Sequence, residues 1–588
     1  MIKDQEGIWC MMELPGYRTH PVHPLPGFSV SEGYDALVTA IRDRLAGRPH
    51  PLVVIDGFAG TQWAVLVQAL QAAFDRADVR ADWHSTEPCF FPATQIAALL
   101  ASTLTPDPVF GRLHRGHLEE LWDPAQVAVL RHSLQQRTQL AILYGYGASL
   151  LAAGDLVLYC DVPKDRGQAL AAQGLALNVG ADQPERFAAM YKRLYFVDWP
   201  MLNRIKRALL PRLDLFVDLT DAIRPLFAGG PALRDALHTL ARRPFRVKPW
   251  FAPGPWGGQW MKEQFGLPPE QPNYAWSFEL IAPENGILLG AEGQALECSF
   301  DYLLWQETDA VLGEPVAARY GSYFPIRFDY LDTMGGTNLS CQVHPRVDYI
   351  REEFGEPFTQ DETYYIVTCK PGARVFLGLR EDADFAAFRR AAYAARDAAV
   401  PFTIDDYVNS FSSHPHDLFL IPSGTVHCSG ADNLVLEISA TPYIFTFKIY
   451  DYLRSDLNAQ LRHVHLDHAF ANVDPTRTTG WVRSQLIPAP VVVREGPGWA
   501  EYRIGDNPRL FFAIHRLEFS EYIEDNTAGK FLALNLVEGE RCAILSDDTE
   551  PVELRFAESI IIPAGVPRFT LRNLGHVPCK VVKAFVKG

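Results

Sequence analysis

The chain has 588 residues, 48% of them apolar and 21% charged, the proportions of a chain that folds around large cores rather than staying disordered. At roughly 150 residues per domain, that length excludes a single small module. The net charge of −16, from 54 Lys and Arg against 70 Asp and Glu, comes without a basic block and argues against nucleic acid or an anionic membrane as a partner.

Nine scattered cysteines without a CxxC pair fit neither a disulfide framework nor a four-cysteine zinc module, so reduced thiols in a cytoplasmic protein are expected. The first twenty residues carry acids early and hold no apolar core of signal-peptide length. The most apolar later stretch, Leu140 to Val162, is interrupted by Gly145, Gly147, Gly154 and Asp155, which reads as buried strands with turns rather than a membrane span.

Between about residues 50 and 220, short apolar runs alternate with helix-length segments. Pro51 to Asp56, Leu140 to Gly145, Leu156 to Val162 and Leu213 to Leu219 read as strands, and Gln62 to Phe74 has helical spacing. Such alternation predicts an α/β layer with a mostly parallel sheet. At Arg242 to Gly258 four prolines and three glycines interrupt regular structure. Beyond it the texture becomes short β-rich runs, the pattern of all-β barrels or sandwiches. The expected organisation is an α/β domain over 1–240, a β domain over 245–485 with a helical insertion at about 381–410, and a last β unit over 490–588. The insertion is carried by Ala383 to Asp397, which has neither Gly nor Pro. The last unit repeats the strand, PxG turn, strand rhythm of Phe419 to His427, but has Val566 and Pro567 where the earlier turn has Val426 and His427. It is expected to be structural.

The sharpest chemical signal is Ser340-Cys341-Gln342-Val343-His344, followed by Glu362 and by His427 in an IPSGTVH segment. Side chains two apart on a strand share a face, so Gln342 and His344 point the same way. Two histidines, a glutamate and a glutamine without a thiolate suit an open site for zinc or another divalent ion.

The stretch from Leu339 to Leu379 resembles the class I mannose-6-phosphate isomerases, metal-dependent cupin enzymes, through its QxHP, glutamate and PGA elements. Gly254 to Gly258 resembles that family's WGG segment, Leu436 to Arg454 its YDY segment, and Arg462 to His465 its Arg-x-x-His element. The resemblance spans about 245–588. It implies cupin barrels, interconversion of mannose 6-phosphate and fructose 6-phosphate, and metal ligation by Gln342, His344, Glu362 and His427. Two positions depart from the family pattern: Gln360 stands where a lysine is usual and Lys448 where an arginine is usual. Lys448, Arg462 and His465 are the expected catalytic groups, and Lys262, Arg454 and Gln360 the expected substrate contacts, with Asp361 another group able to handle protons. A small sugar phosphate is the expected partner, and a homo-oligomer is allowed. A non-catalytic sugar-phosphate sensor and a bifunctional kinase–isomerase are the competing readings.

Leu52 to Gly60, entering a helix, has the strand, glycine turn, helix layout of a P-loop, and with 107–123 and 156–164 it resembles nucleoside and uridine kinases. Arg112 and Arg115 would then belong to a phosphate lid. The turn Asp56 to Trp63 lacks the GK[ST] that a working loop needs, so a degenerate kinase-like fold is expected. Asp161 and Asp198 are read equally as buried caps or as catalytic groups.

Overall fold

The computed structural model describes residues 16–291, 293–440, 445–455, 461–547 and 549–588, with the backbone of two short strands, Ile2–Lys3 and Trp9–Cys10. A seven-stranded sheet organises the first part. Its order is Ser31–Glu32, Leu226–Gly229, Leu215–Asp218, Leu156–Asp161, Leu52–Gly57, Ala141–Tyr144, Asp82–Ser85. The last five are parallel, and numbered along the chain they lie in the order 5-4-1-3-2. The first two strands add antiparallel at one edge. Strands Leu52–Gly57 and Leu156–Asp161 are buried throughout, as a sheet covered by helices on both faces requires. The helix predicted from Gln62 runs over Trp63–Arg76 and buries Leu66, Leu70, Ala73 and Phe74, residues at the spacing of one helical face.

The middle part is built from two larger antiparallel sheets and a three-stranded one in which Gln294–Ser299 and Gly286–Ala291 pair antiparallel. One is six-stranded: Trp250–Ala252, Trp276–Leu280, Arg327–Asp332, Asn433–Ala440, Asp361–Cys369, Leu418–Ile421. The other is five-stranded: Val408–Ser412, Arg374–Leu379, His427–Ser429, Cys341–Val343, Phe447–Tyr450. The predicted helical insertion appears as helix Phe385–Ala398, with Asp384 accepting hydrogen bonds from the amides of Ala386 and Ala387 at its start. The last part is a six-stranded and a four-stranded antiparallel sheet around its own apolar cluster, which includes Leu517, Leu534, Ile544 and Leu571.

Backbone pairing links segments far apart in sequence. Strand Val22–His23 pairs in parallel with Gly286–Ala291 of the middle part, and Phe245 forms an isolated bridge with Ile561 of the last part. The cause is electrostatic as well as steric: Arg18 and Arg246 both reach the buried Glu558 carboxylate, each at 2.5 Å. Residues 17–23 therefore reach the β parts, through Tyr17 to Glu279, Arg18 to Glu558 and Val22–His23 to Gly286–Ala291. Among the described residues no helix is long and apolar enough to cross a membrane, and the eight described cysteines are free.

Candidate metal centre

Three strands and the residue just past one of them converge. His427 and Gln342 are direct partners across antiparallel strands, and Gln342 is in turn opposite Lys448, so these three side chains sit on one face in a row. His344 follows the end of strand Cys341–Val343. Glu362 comes from the facing six-stranded sheet, near the start of strand Asp361–Cys369. His344, Glu362 and His427 are fully buried, and their ligand atoms lie within 4.8 Å of one another.

The hydrogen bonds around the trio fix its chemistry. His344 Nδ1 lies 3.0 Å from the Phe445 carbonyl and His427 Nδ1 lies 2.8 Å from the Thr425 carbonyl. A carbonyl oxygen only accepts, so each Nδ1 carries the proton and each Nε2 presents its lone pair. Those lone pairs face a carboxylate: His344 Nε2 is 2.9 Å from Glu362 Oε2, and His427 Nε2 is 2.8 Å from Glu362 Oε1. The contacts are not aligned as hydrogen bonds, and His344 Nε2 and Glu362 Oε1 are buried without a hydrogen-bond partner. Lone pairs turned toward each other in a dry interior are unfavourable unless a cation lies between them. Gln342 joins with its amide 3.2 Å from His427 Nε2, and a half turn of that amide would present its oxygen instead. The donor set therefore fits a divalent ion. Gln360 donates from Nε2 to Glu362 Oε2 at 2.9 Å, so an uncharged side chain orients the carboxylate.

The other predicted groups fall into two places. Lys448, Arg454, Arg462 and His465 gather beside the strand Phe447–Tyr450. The Lys448 amide donates to His465 Nδ1 at 3.3 Å, and the His465 amide donates to the Lys448 carbonyl at 2.8 Å. Burial, reinforced by the nearby Arg462, lowers the Lys448 ammonium to about 8. Arg462 donates to Asp451 Oδ2 at 2.6 Å, and Arg454 lies 3.2 Å from Asp451 Oδ1. His465 is buried, its Nε2 has no partner among the described residues, and burial holds it well below the ordinary imidazole range. Lys262 is elsewhere: its ammonium donates to the Gln271 carbonyl at 2.6 Å, and no contact with the trio is present among the described residues. Its short helix, Trp260–Gln264, is pinned instead by Asp332, which accepts from the Met261 amide. Asp361, buried and raised to about 6 by that burial, accepts from the Ser423 amide.

A cavity of about 150 Å³ opens between helix Phe385–Ala398 and strand Phe447–Tyr450, lined by Arg396, Tyr450, Asp451, Arg454, Arg462 and His463 among others. Arg396 carried no sequence signal, because only the folding of the insertion against that strand brings it to the cavity, and His463 was readable only as an unassigned position inside the Arg462 to His465 segment. Asp451 was readable only as part of the YDY group.

Comparison with known proteins finds two matches. Residues 33–242 match a family model described as a domain of unknown function, DUF8485. The C-terminal part is similar to mannose-6-phosphate isomerases. Mannose-6-phosphate isomerase ManA of Bacillus subtilis (strain 168) is 23% identical over 353 residues, 58% of this chain and 99% of that protein. The mannose-6-phosphate isomerase of Streptococcus mutans serotype c is 24% identical over 314 residues, 52% of this chain and 88% of that protein. Among solved structures, the mannose 6-phosphate isomerase from Bacillus subtilis aligns over 58% of this chain and 99% of that chain, with 21% identity and a TM-score of 0.48.

Proposed function

We propose that the protein is a metal-dependent aldose–ketose isomerase of sugar phosphates, with mannose 6-phosphate and fructose 6-phosphate as the substrate pair. The observation that carries this reading is the inward-facing trio His344, Glu362 and His427, whose lone pairs converge on one point with Gln342 beside them. Sequence similarity to proteins named mannose-6-phosphate isomerase supports it. Zinc is the first candidate ion, because imidazole and carboxylate donors without a thiolate suit it.

Isomerisation moves a proton between the first two carbons of the sugar through an enediol, so negative charge develops on two oxygens. A bound divalent ion would supply the positive charge that stabilises those oxygens. Gln342, His344, Glu362 and His427 would hold the ion, and Gln360 would keep the Glu362 carboxylate turned inward. Lys448, on the strand next to Gln342, is a cation that gives up its proton close to neutrality, and with His465 it is the group assigned to proton handling. Arg396, Arg454, Arg462 and His463 around the neighbouring cavity would bind the phosphate, with Asp451 fixing Arg454 and Arg462 in place.

A coupled assay of zinc-loaded protein for fructose 6-phosphate formed from mannose 6-phosphate tests the reading. Activity is expected, with loss of at least about a hundredfold in His344→Ala and in the chelated wild type, the latter restored by zinc. A protein that binds one ion per chain but turns over neither sugar would favour a sugar-phosphate sensor, the reading to which the uncharged Gln360 also points.

A further inference from the structure

The metal-type trio is flanked by a piece of the α/β part. After helix Ala93–Leu104 the chain makes a tight turn and lays residues 105–116 against the β sheets. The turn is braced from inside. Thr105 has φ 49°, and its hydroxyl donates to the Phe110 carbonyl at 2.8 Å. Asp107 Oδ1 accepts from the amides of Val109 and Phe110 at 2.7 and 2.6 Å. Lys192, from helix Phe187–Arg193, donates its ammonium to the carbonyls of Thr105 and Asp107.

What the turn presents is the buried ring of Phe110. It stacks on Phe445 with centroids 5.4 Å apart and planes 15° apart, and lies 4.9 Å from the His465 ring and 5.6 Å from Phe354. Phe445 is the residue whose carbonyl accepts from His344 Nδ1. Next to this, Asp107 Oδ2 is 3.5 Å from His468 Nε2. The Leu113 amide donates to the Phe354 carbonyl at 2.8 Å, and Arg112 and Arg115 donate to the carbonyls of Glu352 and Gly355. Helix Val347–Phe354, the element that follows His344, is thus tied to the same turn. Arg112 and Arg115, read from sequence as a phosphate lid, serve this contact.

We propose that Phe110 and its braced turn are positioning residues for the metal centre, the α/β part acting in cis to hold the Phe445 carbonyl that orients His344. The partner of a metal-bound imidazole's second nitrogen sets the ring's orientation and its tautomer. Here that partner is a main-chain carbonyl, so the packing of the Phe445 ring helps to hold it, and that ring stacks on Phe110 and also contacts Phe354 and Phe196. The same ring contacts His465, so it also sets the wall beside Lys448. This inference rests on the metal-isomerase reading above.

The experiment uses full-length protein loaded with Co(II), whose visible absorption reports ligand geometry, alongside zinc affinity by chelator competition and kcat and KM for mannose 6-phosphate. Phe110→Ala is expected to change the cobalt spectrum, weaken zinc about 10- to 100-fold and lower kcat more than it raises KM. Phe110→Leu, which refills most of the space, should recover most of the affinity. Leu66→Ala, in the separate apolar cluster on the far side of the α/β part, should lower thermal stability with an unaltered spectrum. If Phe110→Ala does not fold, Lys192→Met loosens the turn without opening a core cavity and should shift the spectrum in the same direction. An unchanged spectrum and zinc affinity in whichever variant folds would overturn the proposal and leave Phe110 as domain packing. A wild-type protein that binds neither cobalt nor zinc would instead sink the metal reading itself.

Discussion

Glu362 is the residue on which the charge balance of the centre depends. It is the only carboxylate in the trio, it lies against both imidazoles, and Gln360 holds one of its oxygens. Glu362→Gln keeps the shape but removes the negative charge that a divalent ion needs in a dry interior. Zinc should therefore raise the unfolding temperature of the wild type and leave that of Glu362→Gln unmoved, since a ligand stabilises only the state it binds, by about 4 kcal/mol at a thousandfold excess over Kd. An equal zinc-induced rise in both, followed by calorimetry, would show that the ion binds elsewhere. The strand period of two residues linked only Gln342 with His344; Glu362 and His427, on separate strands, were joined to them by the resemblance of the surrounding motifs, and the folded chain brings His344, Glu362 and His427 together. The cation-lined cavity was not legible. Arg396 lies on a helix and His463 in a loop, and no local periodicity ties them to Tyr450.

At the scale of elements, the two-residue strand Val22–His23 shows what short pieces of this fold do. It adds to strand Gly286–Ala291 in parallel, and His23 Nε2 donates to the Arg246 carbonyl at 2.7 Å. Burial lowers the His23 imidazole to about 4, with Arg243, Arg246 and Arg18 adding in the same direction. The native state thus refuses a proton that the unfolded chain accepts near pH 6.5. Stability from this group is complete above pH 6.5 and is lost as pH falls toward 4, by about 3 kcal/mol over the window. In His23→Gln, which can still donate to the carbonyl but does not titrate, urea unfolding midpoints between pH 6.5 and 4.5 should fall less steeply than in the wild type. Equal slopes would mean that His23 is protonated in the folded protein. No sequence pattern announces a strand of two residues, whereas Pro51 to Asp56 and Leu156 to Val162 were readable because continuous apolar runs of that length have nowhere to go but a covered sheet.

Across the whole molecule, the question left by the first part is whether its parallel sheet retains a nucleotide site. The strand order 5-4-1-3-2 and the glycine turn after Leu52–Gly57 place such a site at the carboxyl ends of the strands. That crevice is filled. Asp56 accepts from the amides of Gly57, Gly147 and Ser149 and from the Ser149 hydroxyl, so its oxygens are committed to the backbone turn. Asp198 likewise accepts from Asn178 and the Val179 amide. Phe58 is buried under the Lys206 ammonium, 4.3 Å from its ring centroid, and Lys206 is itself paired with Asp161 at 2.9 Å. Lys164, the other cation there, pairs with Asp301 of the β part at 3.1 Å, and Tyr302 lies 4.6 Å from Lys206. The cavity remaining among Gly60, Gly167, Leu177 and Trp199 is about 10 Å³, room for about one water molecule and not for a phosphate group. A phosphate would have to break two buried ion pairs, each costing roughly 3–5 kcal/mol when one partner is removed, and push apart the contact between the α/β and β parts. Equilibrium dialysis with a labelled ATP analogue and magnesium on the full chain should therefore give no binding at millimolar nucleotide. Lys206→Met should not create any, because Phe58 and Tyr302 remain in place. Saturable binding, lost in Gly60→Val, would show instead that the two parts separate to admit nucleotide and would return the bifunctional reading to consideration.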